Sequence, residues 1–147
     1  MPVPLVTKGF SIQLGNITTI NATKIYVELD PRPVEMFKGD NLDQQFIVTV
    51  DGTALNLTDA ELTFTVKELE GDLIPKFQRK NENAGGSDGE IEMMPPESGE
   101  FTVHIIPSNT STLEANQFYW YDIQMVKDGK TLTIIKDKLL LKQDITT

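Results

Sequence analysis

Residues 118–147 read FYWYDIQMVKDGKTLTIIKDKLLLKQDITT, and this stretch decides the fold class. Asp128-Gly129 predicts a two-residue hairpin turn, because a type I′ turn needs φ > 0 at both central positions. Before the turn, Tyr119, Tyr121, Ile123 and Met125 alternate with Trp120, Asp122 and Gln124. After it, Leu132 and Ile134 alternate with Thr131 and Thr133. Successive strand side chains point to opposite faces, so each arm of the hairpin can bury one row and wet the other. Lys138 to Lys142 then predicts a separate closing strand, with lysines at its exposed ends.

The same grammar runs backwards through the chain. Glu61 to Lys67 places Leu62, Phe64 and Val66 on one face and Thr63, Thr65 and Lys67 on the other. Gln45 to Val50 offers Phe46, Val48 and Val50 before a second Asp-Gly turn at Asp51-Gly52. Phe101 to Ile106 shares Phe101, Val103 and Ile105 between its turns. Leu73 to Arg79 is a weaker strand, confined to an edge by Pro75, which has no N–H to donate. Ile91 to Met94 permits a short strand closed by Pro95-Pro96. The one helical candidate follows Pro107, where Thr110 or Ser111 would cap a turn that drops Leu113 onto the core. Strands at such spacing, separated by turn residues, predict an all-β antiparallel sandwich of about seven to nine strands.

Two polar regions frame this domain. Residues 80–92 carry three glycines and little apolar area, which predicts a mobile loop. The N-terminal 24 residues are nearly uncharged, and Phe10, Ile12 and Leu14 alternate with Ser11 and Gln13. Ile25 to Leu29 is β-rich, but Asp30-Pro31-Arg32-Pro33 breaks it, since the residue before a proline is pushed away from helix. The expected division is an extended arm and connector over 1–34 and a β-sandwich over 35–147. In the arm, Phe10, Ile12 and Leu14 are candidate assembly contacts that would add a strand to a neighbour's sheet.

Composition narrows the function. The chain has 147 residues, enough to bury a core without disulfides or metal, and no cysteine. Thirteen basic against 22 acidic residues give −9 at neutral pH, which argues against binding nucleic acid or an anionic membrane surface. MPVPLVTKGF lacks a basic segment followed by an apolar core, so no signal peptide is expected. No catalytic constellation emerges: His104 is the single histidine, and no nucleophile motif accompanies it. Asp88, Glu90 and Glu92, with Asp72 and Glu82, lack the spacing of a calcium loop, so no metal or other cofactor is expected. The run Phe118-Tyr119-Trp120-Tyr121 leaves a ligand-stacking alternative for Tyr119, Trp120 and Tyr121, although alternation splits them between two faces.

A longer order of motifs carries a resemblance. Lys38-Gly39-Asp40 leads to a strand, an Asp-Gly turn, then Leu55-x-Leu57-Thr58-Asp59-Ala60 before a Phe-x-Val strand. Gly99-x-Phe101-x-Val103, a proline, Asn109-Thr110-Ser111-Thr112-Leu113, the aromatic strand, Asp128-Gly129-Lys130 and Gln143-Asp144-Ile145-Thr146 follow. Over residues 37–146 this resembles the small Ig-like β-sandwich domain of tailed-bacteriophage structural proteins, including the N-terminal domain of upper baseplate proteins. Asp59 stands where that pattern often has glycine. The resemblance implies a non-enzymatic tail, baseplate or other virion assembly protein. Made in the bacterial host cytoplasm, it would reside in the virion and contact other virion proteins and copies of itself. A carbohydrate- or cell-surface-binding sandwich is the alternative.

Overall fold

Asp128 and Gly129 adopt φ of 54° and 75°, and Asp51 and Gly52 adopt 50° and 86°, the left-handed pairs that a type I′ turn requires. The computed structural model describes residues 15–20, 23–81, 90–93 and 95–143. Its strands in chain order are β1 (Gly15–Ile20), β2 (Thr23–Asp30), β3 (Val34–Phe37), β4 (Leu42–Val50), β5 (Thr53–Ala54) and β6 (Glu61–Lys67). They continue with β7 (Phe77–Lys80), β8 (Ile91–Met93), β9 (Glu100–Ile105), β10 (Gln117–Lys127) and β11 (Lys130–Lys142). A single 3-10 turn over Pro96–Ser98 and the one-turn helix α1 (Pro107–Thr110) complete the described elements.

The strands form two sheets, an all-β sandwich. The first runs β1-β2-β4-β9-β8, with β5 beside β4; the second runs β3-β11-β10-β6-β7. Every pairing is antiparallel except β3 against β11. The inward rows are those that alternation selects. Phe46 and Val48 of β4, Phe101, Val103 and Ile105 of β9, and Leu62, Phe64 and Val66 of β6 are buried. So are Tyr119, Tyr121, Ile123 and Met125 of β10. At the centre, Phe46 stacks on Phe101 at 5.3 Å between centroids, and Phe64 stacks on Tyr121 at the same distance. Phe46 also reaches Tyr121 at 6.2 Å, so the cluster ties the sheets together.

Several expectations are corrected. The division at residue 34 does not separate an arm from the core. Strand β2 pairs with β4 from Ile25↔Val50 to Asp30↔Gln45, and Ile25, Val27 and Leu29 are buried. The Pro-rich segment is instead the crossing by which the chain leaves the first sheet as β2 and enters the second as β3. The peptides Asp30-Pro31 and Arg32-Pro33 are both cis, and the buried Gln44 side chain donates to the Pro31 carbonyl at 2.7 Å. The described strands number eleven, the surplus over seven to nine coming from the N-terminal strands and the two-residue β5.

The two strands expected after the Asp128 turn are one. A bulge between Ile123 and Gln124 of β10 and their partners leaves Ile134 of β11 unpaired in the register. The extra residue lets Ile134 and Ile135 both face the core, and the inward row then resumes at Leu139 and Leu141. The helical turn also starts earlier than its expected cap. Asn109 Oδ1 accepts from the Ile106 N–H, while the buried Thr110 hydroxyl accepts from Gly39 N–H at 2.9 Å. Leu113 is buried as the sequence suggested. Asp59 has φ of 65°, which accounts for a glycine-like position there.

Gly99 is the position where only glycine fits. Its φ is 74°, and a Cβ would lie 2.4 Å from the Val48 carbonyl oxygen, a backbone atom in a strand that cannot move aside. Gly99→Ala combines left-handed strain with that overlap and is expected to cost about 3 kcal/mol or more. Urea unfolding measures it; a change under about 0.5 kcal/mol would mean that the loop reorganises freely.

Candidate functional site

The outer face of the second sheet is where large apolar side chains meet water. In the cross-strand register Trp120 of β10 lies between Lys67 of β6 and Lys138 of β11. In the neighbouring row, Phe118 lies opposite Leu140, which lies opposite Glu35 of β3. The Lys138 ammonium sits 5.6 Å from the Phe118 ring centre and 5.2 Å from that of Trp120. Phe37 at the end of β3 carries Lys142 in the same way, at 5.5 Å. Such cation–π contacts are worth about 0.5–1 kcal/mol at exposed sites and hold the rings and stems in place.

Beside this platform the loop 68–76 joins β6 to β7. The edge strand expected over 73–79 is corrected: β7 starts only at Phe77, and Leu73, Ile74 and Pro75 precede it in the loop. Local bonds shape the loop. The Leu69 N–H donates to Asp72 Oδ2 at 3.0 Å and the Asp72 N–H donates back to the Leu69 carbonyl at 3.1 Å. The Lys76 N–H donates to the Val66 carbonyl at 2.7 Å, and Lys76 pairs with Glu68 at 3.2 Å. Glu70 reaches across to Lys136 of β11. A loop so tied still leaves Leu73 96%, Ile74 82% and Leu69 65% exposed, and Phe118 on β10 is 57% exposed. Burying one such side chain is worth about 1.5–3 kcal/mol, so this surface stores binding energy that the isolated fold does not use.

Beside the loop lies a shallow depression lined by Lys67, Leu73, Pro75, Gln78, Asp122 and Gln124. Partial burial there pushes the Asp122 carboxyl above its usual range, opposed by the nearby charges of Lys67 and Lys136.

The sequence candidates divide. Trp120 is on this outer face, but Tyr119 and Tyr121 are not available for stacking on a ligand. Strand alternation sends both inward, where they are 2% and 1% exposed. The Tyr119 hydroxyl donates to the Glu114 carbonyl at 2.8 Å, and the Tyr121 hydroxyl is buried without a hydrogen-bond partner among the described residues. Phe10, Ile12 and Leu14 lie outside the described residues, as do Glu82, Asp88 and the glycines of the 80–92 loop. Alternation could not have found Leu69, Leu73 and Ile74. The available signal was an apolar pair before a proline, with no polar residue interleaved.

Another set of titratable groups converges on the outer face of the first sheet. His104 of β9 makes hydrogen bonds through Nδ1 to Asp43 of β4 at 2.7 Å and through Nε2 to Glu92 of β8 at 3.2 Å. Its carbonyl accepts from Arg79 Nε at 2.8 Å, which links β7 of the second sheet to β9 of the first. Partial burial of the ring disfavours its charge, but the two carboxylate hydrogen bonds and their charges outweigh that and hold its pKa above the usual 6.5. Each ring nitrogen is engaged by a carboxylate, and the described residues contain no group of three acidic, His or Cys side chains arranged to hold a metal ion. The arrangement is an interstrand clasp. Because the folded-state pKa is raised, its contribution is fully present below about pH 6.5 and lost as the pH rises through the folded value. The stability difference between the chain and His104→Gln is expected to be below about 1 kcal/mol at pH 5.5 and to vanish by about pH 8.5. A difference that grows with pH would contradict the clasp.

No helix among the described residues is long and apolar enough to cross a membrane. The sequence matches no protein-family model, and comparison with curated proteins finds no relative. Fold and site together define an all-β sandwich whose second sheet, among the described residues, carries exposed apolar side chains and lysines on its outer face.

Proposed function

We propose that this chain is a non-enzymatic structural protein of a tailed-bacteriophage virion, an Ig-like tail or baseplate module that works through protein–protein contacts. The observation that carries the contact reading is the tied loop that holds Leu69, Leu73 and Ile74 in water just after Lys67, the cross-strand partner of Trp120. Strand order supports the Ig-like reading: β2-β4-β9-β8 faces β6-β10-β11, the arrangement of the two immunoglobulin sheets. Tyr119 supports it too, with its hydroxyl bonded to a carbonyl five residues upstream, as the tyrosine of an immunoglobulin corner is. Phe46, Phe64 and Tyr121 fill the centre that a disulfide and tryptophan occupy in antibody domains. The virion assignment rests on the motif order in residues 37–146.

Mass spectrometry of particles purified from cells that produce the encoding phage tests the reading. The chain is expected in those particles at a fixed ratio to the other tail proteins. The variant Leu73→Glu/Ile74→Glu is expected to fold normally and to be depleted from them. Particles that form without the chain overturn the virion role. Of the aromatics read for a carbohydrate-binding role, Trp120 alone faces outward, and its ring already carries the Lys138 ammonium. Saturable binding of a glycan lost in Trp120→Ala would favour it instead.

A further inference from the structure

We propose that the outer face of the second sheet is where two copies of this chain meet, with Leu73 and Ile74 of each copy packed on the Phe118–Trp120 platform of the other. This deepens the assembly reading by naming one partner for the apolar face. The choice of a second copy follows from charge. The chain carries −9, so two copies repel over most of their surfaces. On this face the charges cancel. All three lysine–carboxylate ion pairs among the described residues, Lys76–Glu68, Lys136–Glu70 and Lys142–Glu35, lie on it or at the base of its loop. Lys138 adds a cation held by two rings rather than by a carboxylate. A strongly acidic chain meets its own copy with least repulsion here.

Shape points the same way. A two-fold contact uses one patch on both copies, so the patch must contain both a projection and what receives it. The loop supplies the projection, and β10 with β11 supplies the platform. Loop and platform approach at the depression, where Leu73 and Pro75 share the lining with Asp122 and with Lys67, the cross-strand partner of Trp120. A two-fold axis through that depression exchanges them.

Charge also sets the salt dependence. An interface held by ion pairs weakens as salt is added; this one should tighten, because salt screens the repulsion between two acidic bodies and leaves apolar contact intact. Sedimentation equilibrium of the full chain tests it. The mass is expected to rise with concentration from 16.4 kDa towards twice that value, and further at about 0.3 M than at about 0.02 M salt. Leu73→Glu/Ile74→Glu and, separately, Trp120→Ala are expected to weaken the dimer by about a hundredfold. Circular dichroism of the loop variant should stay that of the parent, and so should its melting at concentrations where the parent is monomeric, since both side chains are solvent-exposed in the single chain. A chain that stays monomeric at the highest concentration overturns the proposal, and so does a dimer that survives both variants or weakens with salt. A monomeric chain still found in particles sinks the dimer and spares the virion role; a dimer missing from particles does the reverse.

Discussion

A chain that begins at residue 35 is expected not to fold. The cut removes β2, and with it Ile25, Val27 and Leu29 from the floor of the core. Three such side chains are worth about 5–9 kcal/mol together, against a typical total stability of about 5–15 kcal/mol. The loss is larger than that figure, because β4 would also lose its ladder from Ile25↔Val50 to Asp30↔Gln45 and expose Phe46 and Val48 along the opened edge. Far-UV circular dichroism with a thermal melt checks it: the fragment 35–147 should show no cooperative transition. A fragment that melts like the full chain would return β2 to the status of an arm. A chain that begins at residue 23 provides the control, because it keeps β2 and loses, of the described strands, only the edge strand β1. It is expected to melt cooperatively.

Phe64→Ala is expected to cost about 3–5 kcal/mol, the range for deleting a fully buried phenylalanine ring. The ring is fully buried and meets Tyr121 at 5.3 Å, Phe46 at 6.4 Å and Phe77 at 6.4 Å, so its removal opens a cavity bordered by both sheets. Rigid backbone on both sides limits collapse into the space, which places the value in the upper half of the range. Denaturant unfolding should show the midpoint falling with little change in slope. A cost below about 1 kcal/mol would mean that the aromatic cluster repacks. Tyr121→Phe makes the informative contrast in the same cluster. It keeps the ring and deletes a buried hydroxyl that has no partner among the described residues. Removing an unsatisfied polar group is neutral or stabilising, here by up to about 1 kcal/mol. Destabilisation by Tyr121→Phe would reveal a partner for that oxygen.

The aromatic centre also shows how much of the candidate site could be read in advance. The row that puts Tyr119 and Tyr121 inward is the same alternation that puts Trp120 outward, so the sequence already limited any stacking surface on β10 to one side of the run. What it lacked was the neighbour. Lys138 lies 18 positions from Trp120, and only the hairpin register brings its ammonium over both rings. The His104 clasp has the same character, with Asp43 and Glu92 brought in from two other strands.

Local chemistry alone determined the all-β class, the Asp51-Gly52 and Asp128-Gly129 turns, and the inward rows of β4, β6, β9 and β10. Each of these depends on a residue's own φ preference or on the two-residue period of a strand, and neither needs a partner to be specified. Tertiary structure decided the rest. Pro31 and Pro33 mark a break in either reading, but whether the strand before them is an arm or a core strand depends on β4 offering it a ladder. Ile134 and Ile135 become neighbours in the core only because a bulge resets β11 against β10. Leu73 and Ile74 are apolar in any context. They stay in water because the two sheets close their core without them, and no local propensity records which apolar residues a finished core leaves over.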